Sequence, residues 1–341
     1  MAVVATGFFD GVHLGHRSVV HALSVEAEQR GEEAVVVTFW PHPRMVMQQD
    51  ARDFRLLTSS SEKIELLRNA GADRVEVVPF TKSFASLTGE QYIKDFLVPK
   101  FGCTAVVMGY DNKLGSDFAD VEKLRKVSPI EVIDCSAVQQ PVGSDSSNRS
   151  FSSHEDHAAL SGGSVCEERR AEDESHGSGH GRNDGDAAVI ISSTRIRHQI
   201  EQGNVESAYA MLGYDYFLNG AVVSGNRLGR TIGFPTANME LYEPLKLVPK
   251  RGVYLVRVEL PSCEQTVPLY GMCNIGQRPT VSSDSRTTIE TNIFDFSDDI
   301  YGLTMKITFL HRLRDEIRFS SVDMLRDHLE SDRDECKALL K

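Results

Sequence analysis

A glycine-rich segment with two histidines, residues 7 to 16, is the first part of this chain whose residue types indicate chemistry. It reads Gly-Phe-Phe-Asp-Gly-Val-His-Leu-Gly-His and directly follows the short apolar run Val3 to Ala5. A strand that ends in glycines and leads into a helix directs free backbone N–H groups and the positive end of the helix dipole at an anion. His13 and His16 lie on one face of the opening turn, and imidazoles there suit a phosphate that gains charge in a transition state. The segment indicates a site for the α-phosphate of a nucleotide.

A metal site is the competing interpretation of the two histidines. No cysteine is near them in the sequence, the next histidine, His21, is five residues after His16, and only Asp10 could join the pair within the loop, so a closed zinc site is disfavoured. A glycine-rich turn by itself is weak evidence, because turns use glycine for backbone reasons everywhere.

A second segment, Ile191 to Arg197, reads Ile-Ser-Ser-Thr-Arg-Ile-Arg and places three hydroxyls and two guanidinium groups where a helix begins. Alone it is typical of a capped surface helix. Together the two segments resemble the nucleotidylyltransferase superfamily, whose His-x-Gly-His and Ser-Ser-Thr-x-x-Arg loops bind ATP from opposite sides. Class I aminoacyl-tRNA synthetases share a looser form, but the formal charge of -12 has the wrong sign for steering tRNA. We therefore expect a small substrate and no nucleic acid partner.

A third segment, Gly225 to Asn238, contains the Gly-Phe-Pro-Thr-Ala-Asn signature of riboflavin kinases. With the later segments 252–254, 274–280, 289–296 and 313–319, it makes the chain resemble the prokaryotic bifunctional riboflavin kinase/FAD synthetases over residues 1 to about 142 and 188 to 341. The resemblance implies ATP-dependent phosphorylation of riboflavin to FMN, then adenylylation of FMN to FAD with release of pyrophosphate. It also implies Mg2+ as cofactor and ATP as co-substrate. Two alternatives remain, namely that one step alone is active, or that the protein is a non-catalytic flavin-binding regulator.

The resemblance also assigns roles to residues. Catalytic roles fall to Glu290, His13 and His16. The ATP-binding residues of the adenylyltransferase site would be Gly7, Phe9, Asp10, Gly15, Asp111, Ser193, Thr194 and Arg197. The ATP and flavin site of the kinase would comprise Gly233, Pro235, Thr236, Asn238 and Arg278, and Thr236 and Asn238, in a rigid turn after Pro235, would also bind Mg2+ through hard oxygen atoms.

The two reactions require different groups. Riboflavin attacks through a ribityl hydroxyl that is neutral, so a base helps, and Glu290 is the candidate, with Thr288 and Asn292 on the same strand face. A strand glutamate facing solvent is the ordinary alternative. FMN attacks through a phosphate that is already anionic, so its site must align two anions and stabilise the α-phosphate and pyrophosphate.

Hydrophobic patterning predicts the elements that position these residues. In the first part, strands near 3–5, 34–39, 75–78, 105–108 and 131–133 alternate with helices near 18–29, 62–69, 89–96 and 121–126, which predicts a doubly wound α/β sheet. The loops at 40–44 and 109–115 would face the same crevice as residues 7–16.

The second part carries a different pattern. Two helices, 195–202 and 205–211, are separated by Gly203, and short alternating segments follow at 216–223, 252–258, 266–273, 288–294 and 305–310. This favours an antiparallel β-barrel, which a helix from Val322 to Leu329 and beyond would plug or flank. The resemblance implies the same riboflavin kinase barrel, with six strands and a C-terminal helix.

Residues 143–187 contain ten acidic residues and four arginines with almost no apolar periodicity, and this segment is predicted to be a disordered polar insertion. The expected domains are therefore 1–142 plus 188–212 for FMN adenylyltransferase and 213–341 for riboflavin kinase. The six cysteines form no Cys-x-x-Cys pair, and no apolar run approaches about 18 residues, so a cytoplasmic protein without a membrane partner is expected. Oligomeric state is left open.

Overall fold

The first part of the chain forms a parallel five-stranded sheet. The computed structural model describes residues 1–47, 54–109, 112–135, 139–140, 189–225, 228–263, 267–278 and 286–341. The sheet has the order β3-β2-β1-β4-β5. Its strands are β1 (Ala2–Thr6), β2 (Glu33–Trp40), β3 (Arg74–Pro79), β4 (Cys103–Gly109) and β5 (Glu131–Cys135). The predicted doubly wound sheet is confirmed, and its strand order reverses between β1 and β4, which places a crevice beyond their carboxyl ends.

Both faces of this sheet are covered, because alternate residues of each strand enter different cores. Val35 and Val37 of β2 belong to one apolar cluster, whereas Val36 belongs to the other. The helices of this part are α1 (Leu14–Arg30), α2 (Pro43–Met47), α3 (Ser60–Asn69), α4 (Lys82–Ala85), α5 (Gly89–Gln91), α6 (Val98–Phe101) and α7 (Val121–Val127), and all except α2 and α5 contribute residues to these two clusters or pack on them. Between α5 and α6 the chain is π-helical over Tyr92–Leu97. The helix predicted at 89–96 is therefore present as part of a continuous helical stretch, 89–101, whose middle has the wider π-helical turn.

The flanks of the polar insertion meet. Strands β6 (Gln139–Gln140) and β7 (Val189–Ile190) pair in antiparallel fashion. Residues 141–188 lie outside the described part of the chain, so their disorder stays a prediction. After β7 come α8 (Ser193–Gln202) and α9 (Val205–Leu212), separated as predicted by Gly203, whose φ of 83° is in the left-handed region.

The second part is a closed barrel with the strand order β10-β11-β12-β9-β8-β13. A short helix, α10 (Leu228–Thr231), precedes the second strand, and the strands are β8 (Phe217–Val223), β9 (Ala237–Leu241), β10 (Gly252–Glu259), β11 (Leu269–Arg278), β12 (Arg286–Ile293) and β13 (Thr304–Arg314). Hydrophobic alternation predicted five of these strands but missed β9. The rigid turn predicted for Asn238 is therefore wrong, because Asn238 lies within a strand in which only Met239 is buried and no alternation shows.

The last helix, α11 (Val322–Leu339), flanks the barrel and does not plug it. It packs on the outward apolar residues of the strands, where Cys336 and Leu325 join Val253 and Leu255 of β10. The interior cluster of the barrel is shared instead with α8 and α9. Among the described residues, no helix combines the length and apolar character that crossing a bilayer requires.

Candidate active sites

The loop after β1 holds both predicted catalytic histidines at the start of α1. His13 caps this helix, because its Nδ1 accepts a hydrogen bond from the backbone N–H of His16 at 3.3 Å. The two imidazole rings are stacked, with centroids 3.6 Å apart. Gly15 keeps space for this arrangement, since a Cβ at that position would lie 3.3 Å from the His13 ring. The histidines therefore form one unit at the positive end of the α1 dipole.

The charge state of His16 follows from its surroundings. Burial lowers the pKa of His16 well below its usual 6.5, and the positive charges of His13 and Lys63 lower it further. A neutral imidazole at pH 7 can donate a hydrogen bond to a phosphate oxygen without carrying a charge of its own. The Nδ1 atom of His16 is buried and has no hydrogen-bond partner within the described ranges.

The same loop has strained backbone. Phe9 and Val12 have φ angles of 47° and 34°, a region that residues other than glycine rarely adopt. Both side chains are buried, and the edge of the Phe9 ring faces the His16 ring at 5.2 Å between centroids. The Phe9 side chain thus supports His16 from the core. Gly7 donates its backbone N–H to the Val37 carbonyl at 3.1 Å, which fixes the start of the loop to β2.

Asp10 joins the two segments that sequence analysis singled out. Its buried carboxylate accepts hydrogen bonds from the backbone N–H groups of Leu57 and Thr58, both at 3.1 Å, and forms an ion pair with Arg197. The Ser193 hydroxyl donates to the Asp10 carbonyl at 2.8 Å. The contact between the two predicted ATP-binding loops is therefore direct, and Asp10 makes it.

Arg197 is held on three sides. Besides its pair with Asp10, its Nε donates to the Arg55 carbonyl at 2.9 Å, and its guanidinium lies 4.8 Å from the centroid of the Phe54 ring. Ser192 caps α8, as predicted for a serine or threonine, and Thr194 is exposed at the first turn of that helix. Arg197 is a fixed positive charge beside the crevice, with part of its donor capacity already used by the protein.

Lys63 in α3 was not predicted as a site residue. Its side chain is 6 % exposed, and its ammonium donates to the carbonyls of Phe8 at 3.1 Å and Phe39 at 3.3 Å. Burial lowers the pKa of Lys63 to about 8, while the Asp10 carboxylate opposes the shift. Lys63 thereby ties the ends of β1 and β2 together and brings a positive charge under the histidine pair.

The other two loops also reach this crevice. After β2, the His42 ring lies between the rings of Phe8 and Phe54, at 5.4 Å and 4.6 Å from their centroids. Burial lowers the pKa of His42 to about 4, so this wall is neutral at pH 7. After β4, the Asn112 side chain donates to the Thr6 carbonyl at 2.8 Å. Asp111, predicted to contact ATP, lies outside the described residues.

The barrel builds a second site from three neighbouring strands. Glu290 of β12 is directly opposite Asn238 of β9 on one side and Asn274 of β11 on the other. Directly opposed residues of antiparallel strands share a face of the sheet, so these three side chains form a row. Thr288 and Asn292, two residues either side of Glu290, continue the same face.

A cavity of about 250 Å³ adjoins this row. Glu290, Asn274, Asn292 and Thr236 line it, together with apolar residues from the barrel and α11: Ile232, Phe234, Val253, Met272, Leu325 and Leu329. Such a mixture of an apolar wall with a few polar groups is typical of a small-molecule site. Arg314 also lines the cavity, and a two-pronged ion pair with the buried Asp332 of α11 holds it there, at 2.8 Å and 2.5 Å.

The segment before β9 approaches the cavity closely. Gly233 has a φ of 85°, and the Pro235 carbonyl accepts a hydrogen bond from the Asn292 side chain at 2.7 Å. Residue 225 must be a glycine, because a Cβ on Gly225 would lie 2.2 Å from the Asn238 amide nitrogen. The backbone of Arg278 ends β11, and its side chain is outside the described part of the structure.

The oxygen atoms of Thr236 and Asn238 are suitable ligands for Mg2+. The Thr236 hydroxyl and the Asn238 amide oxygen are hard, neutral ligands, which suit an ion whose remaining positions are filled by phosphates and water. Within the described ranges no group of three or more histidine, cysteine, aspartate or glutamate side chains could hold a metal ion.

Comparison with known proteins gives the family. The sequence model of the FAD synthetase family matches residues 1–153, and that of riboflavin kinase matches residues 212–340. The bifunctional riboflavin kinase/FMN adenylyltransferase of Bacillus subtilis (strain 168) is 32% identical, covering 98% of this chain and 91% of its own length. That of Escherichia coli (strain K12) is also 32% identical, over 97% and 90%. The chain belongs to the bifunctional riboflavin kinase/FMN adenylyltransferase family.

Membership confirms the predicted function. The protein is a bifunctional transferase that converts riboflavin to FMN and FMN to FAD, and ATP is its co-substrate. Among solved structures, one described as a macrolide-efflux protein from Streptococcus pneumoniae is 30% identical and has a TM-score of 0.78, over 98% of this chain and 93% of that one. The two-domain arrangement is therefore shared with a solved structure.

Around the loop after β1, sequence analysis missed contacting residues between 54 and 63, and in the barrel cavity it missed Asn274 and Arg314. Leu57, Thr58 and Lys63 contact the loop after β1, and Phe54 supports Arg197. One signal was available, because Ser59-x-x-Glu62 is a capping-box pattern that marks the start of α3. No sequence pattern shows that the lysine following that glutamate is buried.

Proposed function

We propose that FMN is adenylylated at the loop after β1 and that riboflavin is phosphorylated in the barrel cavity. The first domain would comprise residues 1–142 and 188–212, and the second residues 213–341. The observation that carries this assignment is the contact of Asp10 with Arg197 and Ser193, which joins the His-x-Gly-His and Ser-Ser-Thr-x-x-Arg segments into one anion-binding cleft. Glu290, in contrast, lines a separate cavity on the barrel.

In adenylyl transfer, the protein must align two anions and stabilise the charge that gathers on the α-phosphate. The N–H groups at the start of α1 and the imidazoles of His13 and His16 face that charge, since they surround the N-terminus of the helix. The low pKa of His16 keeps its ring neutral until a phosphate arrives. Ser193, Thr194 and Arg197 are proposed to bind the departing pyrophosphate from the opposite side.

In the kinase step, Glu290 is the proposed base for the ribityl hydroxyl of riboflavin. The apolar residues of the cavity are suited to the flavin ring, and Glu290 lies at its polar edge with Asn274 and Asn292. Thr236 and Asn238 would hold Mg2+, which neutralises phosphate charge and orients the γ-phosphate when bound. Gly233 and Pro235 shape the loop that carries them.

Two variants test the assignment. Glu290→Gln keeps the size of the side chain and removes the base, so FMN formation from riboflavin should fall by about 10²- to 10⁴-fold. His16→Ala should lower FAD formation from supplied FMN by about 10²-fold or more. Flavins are separated by chromatography after incubation with ATP and Mg2+, starting from riboflavin in one reaction and from FMN in another.

A matched control for His16 is present in the same helix, and one for Glu290 is present in β9, the strand that pairs with β12. Glu240→Gln in β9 and His21→Ala in α1 change exposed residues of the same types and should leave both rates within about twofold. Each active-site variant should spare the other reaction. Loss of both activities in a folded Glu290→Gln or His16→Ala protein would show that the two-site assignment is wrong.

A further inference from the structure

A short segment of the first domain, residues 56–63, contacts the barrel on one side and the nucleotide loop on the other. The backbone of Leu56 is bound by the barrel domain, since its N–H donates to the Leu245 carbonyl and its carbonyl accepts from the Leu247 N–H, both at 2.8 Å. The next two residues, Leu57 and Thr58, give their N–H groups to Asp10. Adjacent residues of this segment therefore form hydrogen bonds with the barrel domain and with the loop after β1.

The first turn of α3 also contacts the barrel with one side chain and the crevice with the next. Glu62 and Lys63 are adjacent and both buried, at 5 % and 6 % exposure. Adjacent side chains on a helix point in different directions. Glu62 faces the barrel, where its carboxylate accepts hydrogen bonds from Lys246 at 2.5 Å and from Asn219 at 2.9 Å. Lys63 faces the crevice, where it binds the carbonyls of Phe8 and Phe39.

Lys246 is buried against aromatic rings and pairs with Glu62. It is 3 % exposed, and its ammonium lies 5.0 Å and 4.8 Å from the ring centroids of Tyr216 and Phe217. Burial lowers the pKa of Lys246, and Glu62 opposes the shift. Removing one partner of such a pair leaves a buried charge that must find water or another donor, so the surrounding backbone moves. Glu62, which would keep the unpaired charge, lies in the first turn of α3.

We propose that Lys246, a residue of the barrel domain outside the kinase cavity, is a positioning residue for FMN adenylylation, acting through Glu62 and the 56–63 segment on Lys63, Asp10 and the histidine pair. The inference rests on the placement of adenylyl transfer at the loop after β1. It makes the docked barrel a structural requirement for the first domain's chemistry. A displacement of about 1 Å at a catalytic centre can reduce a rate by about 10²-fold.

The test compares Lys246→Met with Lys250→Met. Lys250 follows on the same connection and pairs with Asp315 at the surface, so it controls for loss of a lysine there. For Lys246→Met, kcat of FAD formation from FMN should fall at least tenfold, with KM for ATP changed by less than threefold, because the groups are misaligned and not removed. FMN formation from riboflavin should stay within twofold of wild type. Lys250→Met should leave both rates within twofold.

A second variant serves if Lys246→Met does not fold. Asn219→Ala removes one barrel contact of Glu62 without leaving an unpaired lysine, and it should lower FAD formation three- to tenfold with FMN formation unchanged. Lys246→Arg, which keeps the charge, should recover part of the lost rate.

Two results would overturn the proposal: unchanged FAD formation in folded Lys246→Met or Asn219→Ala protein, or an equal loss of both activities. His16→Ala is assayed beside them. If it lowers FAD formation while the barrel variants do not, the coupling alone is wrong. If it has no effect, the placement of the adenylylation site is wrong.

Discussion

Replacing Asp10 with asparagine removes one negative charge from the centre of the adenylylation cleft while keeping the size of the side chain. One carboxylate oxygen accepts from the N–H groups of Leu57 and Thr58, and the amide oxygen of asparagine can retain that position. The other oxygen faces the Arg197 guanidinium. In the variant an NH2 group faces that donor, and two donors cannot bond to each other.

The size of the effect follows from burial. The side chains of Asp10 and Arg197 are 6% and 12% exposed, so the pair belongs with buried ion pairs, for which removal of one partner costs about 3–5 kcal/mol. Arg197 retains the Arg55 carbonyl and its stacking on Phe54, which favours the lower end of that range. That cost applies to the free energy of unfolding. The rate falls because Arg197 loses the partner that positions it, and a displacement of about 1 Å at a catalytic centre lowers kcat/KM for FAD formation by roughly 10²-fold.

The assay is a double-mutant cycle on Asp10→Asn, Arg197→Met and the double variant, with kcat/KM of FAD formation converted to free energies. Because each single change destroys the same pair, the double variant should be hardly worse than either, with a coupling energy of at least about 1.5 kcal/mol. FMN formation from riboflavin is the internal control and should not change. Free energies that add within about 0.5 kcal/mol would falsify the structural argument, since independent groups behave in that way.

Two further predictions concern regions outside the cleft. Deleting residues 144–186 should leave both activities within about twofold by the same flavin assay, because residues 141–143 and 187–188 suffice to connect the paired strands β6 and β7; loss of FAD formation alone would show that the insertion takes part in that site. The His311–Glu206 pair, 2.6 Å apart, should stabilise α9 against the barrel in a pH-dependent way. The Glu206 hydrogen bond raises the pKa of His311, and that of Glu206 is lowered by the same partner although burial opposes it. The stabilisation is therefore present between about pH 4.5 and 6.5 and is lost as pH rises through the folded-state pKa of His311. Thermal unfolding should show a larger Tm deficit for His311→Ala at pH 6 than at pH 8.5; an equal deficit would exclude a role for the charge.

The sequence alone determined the architecture, because the features that specify it are local. Alternating strands and helices indicated the parallel sheet, and Gly203 marked the break between α8 and α9, as the structure confirms. The His-x-Gly-His, Ser-Ser-Thr-x-x-Arg and Gly-Phe-Pro-Thr-Ala-Asn segments were sufficient for the family. Sequence analysis missed strand β9 because this short segment has only one buried residue. Its pairing with β8 and β12 is what makes it a strand.

Only the tertiary structure decided how the site groups are used. That Asp10 binds ATP stays a prediction, and the structure adds that its carboxylate binds Arg197 and two backbone N–H groups, since partners distant in sequence satisfy a buried charge. Lys63 and Lys246 are indistinguishable from surface lysines in the sequence, because burial depends on what packs over them. The sequence determines which chemical groups are available. Their charge states depend on desolvation and pairing, which arise only when segments distant in the sequence pack together.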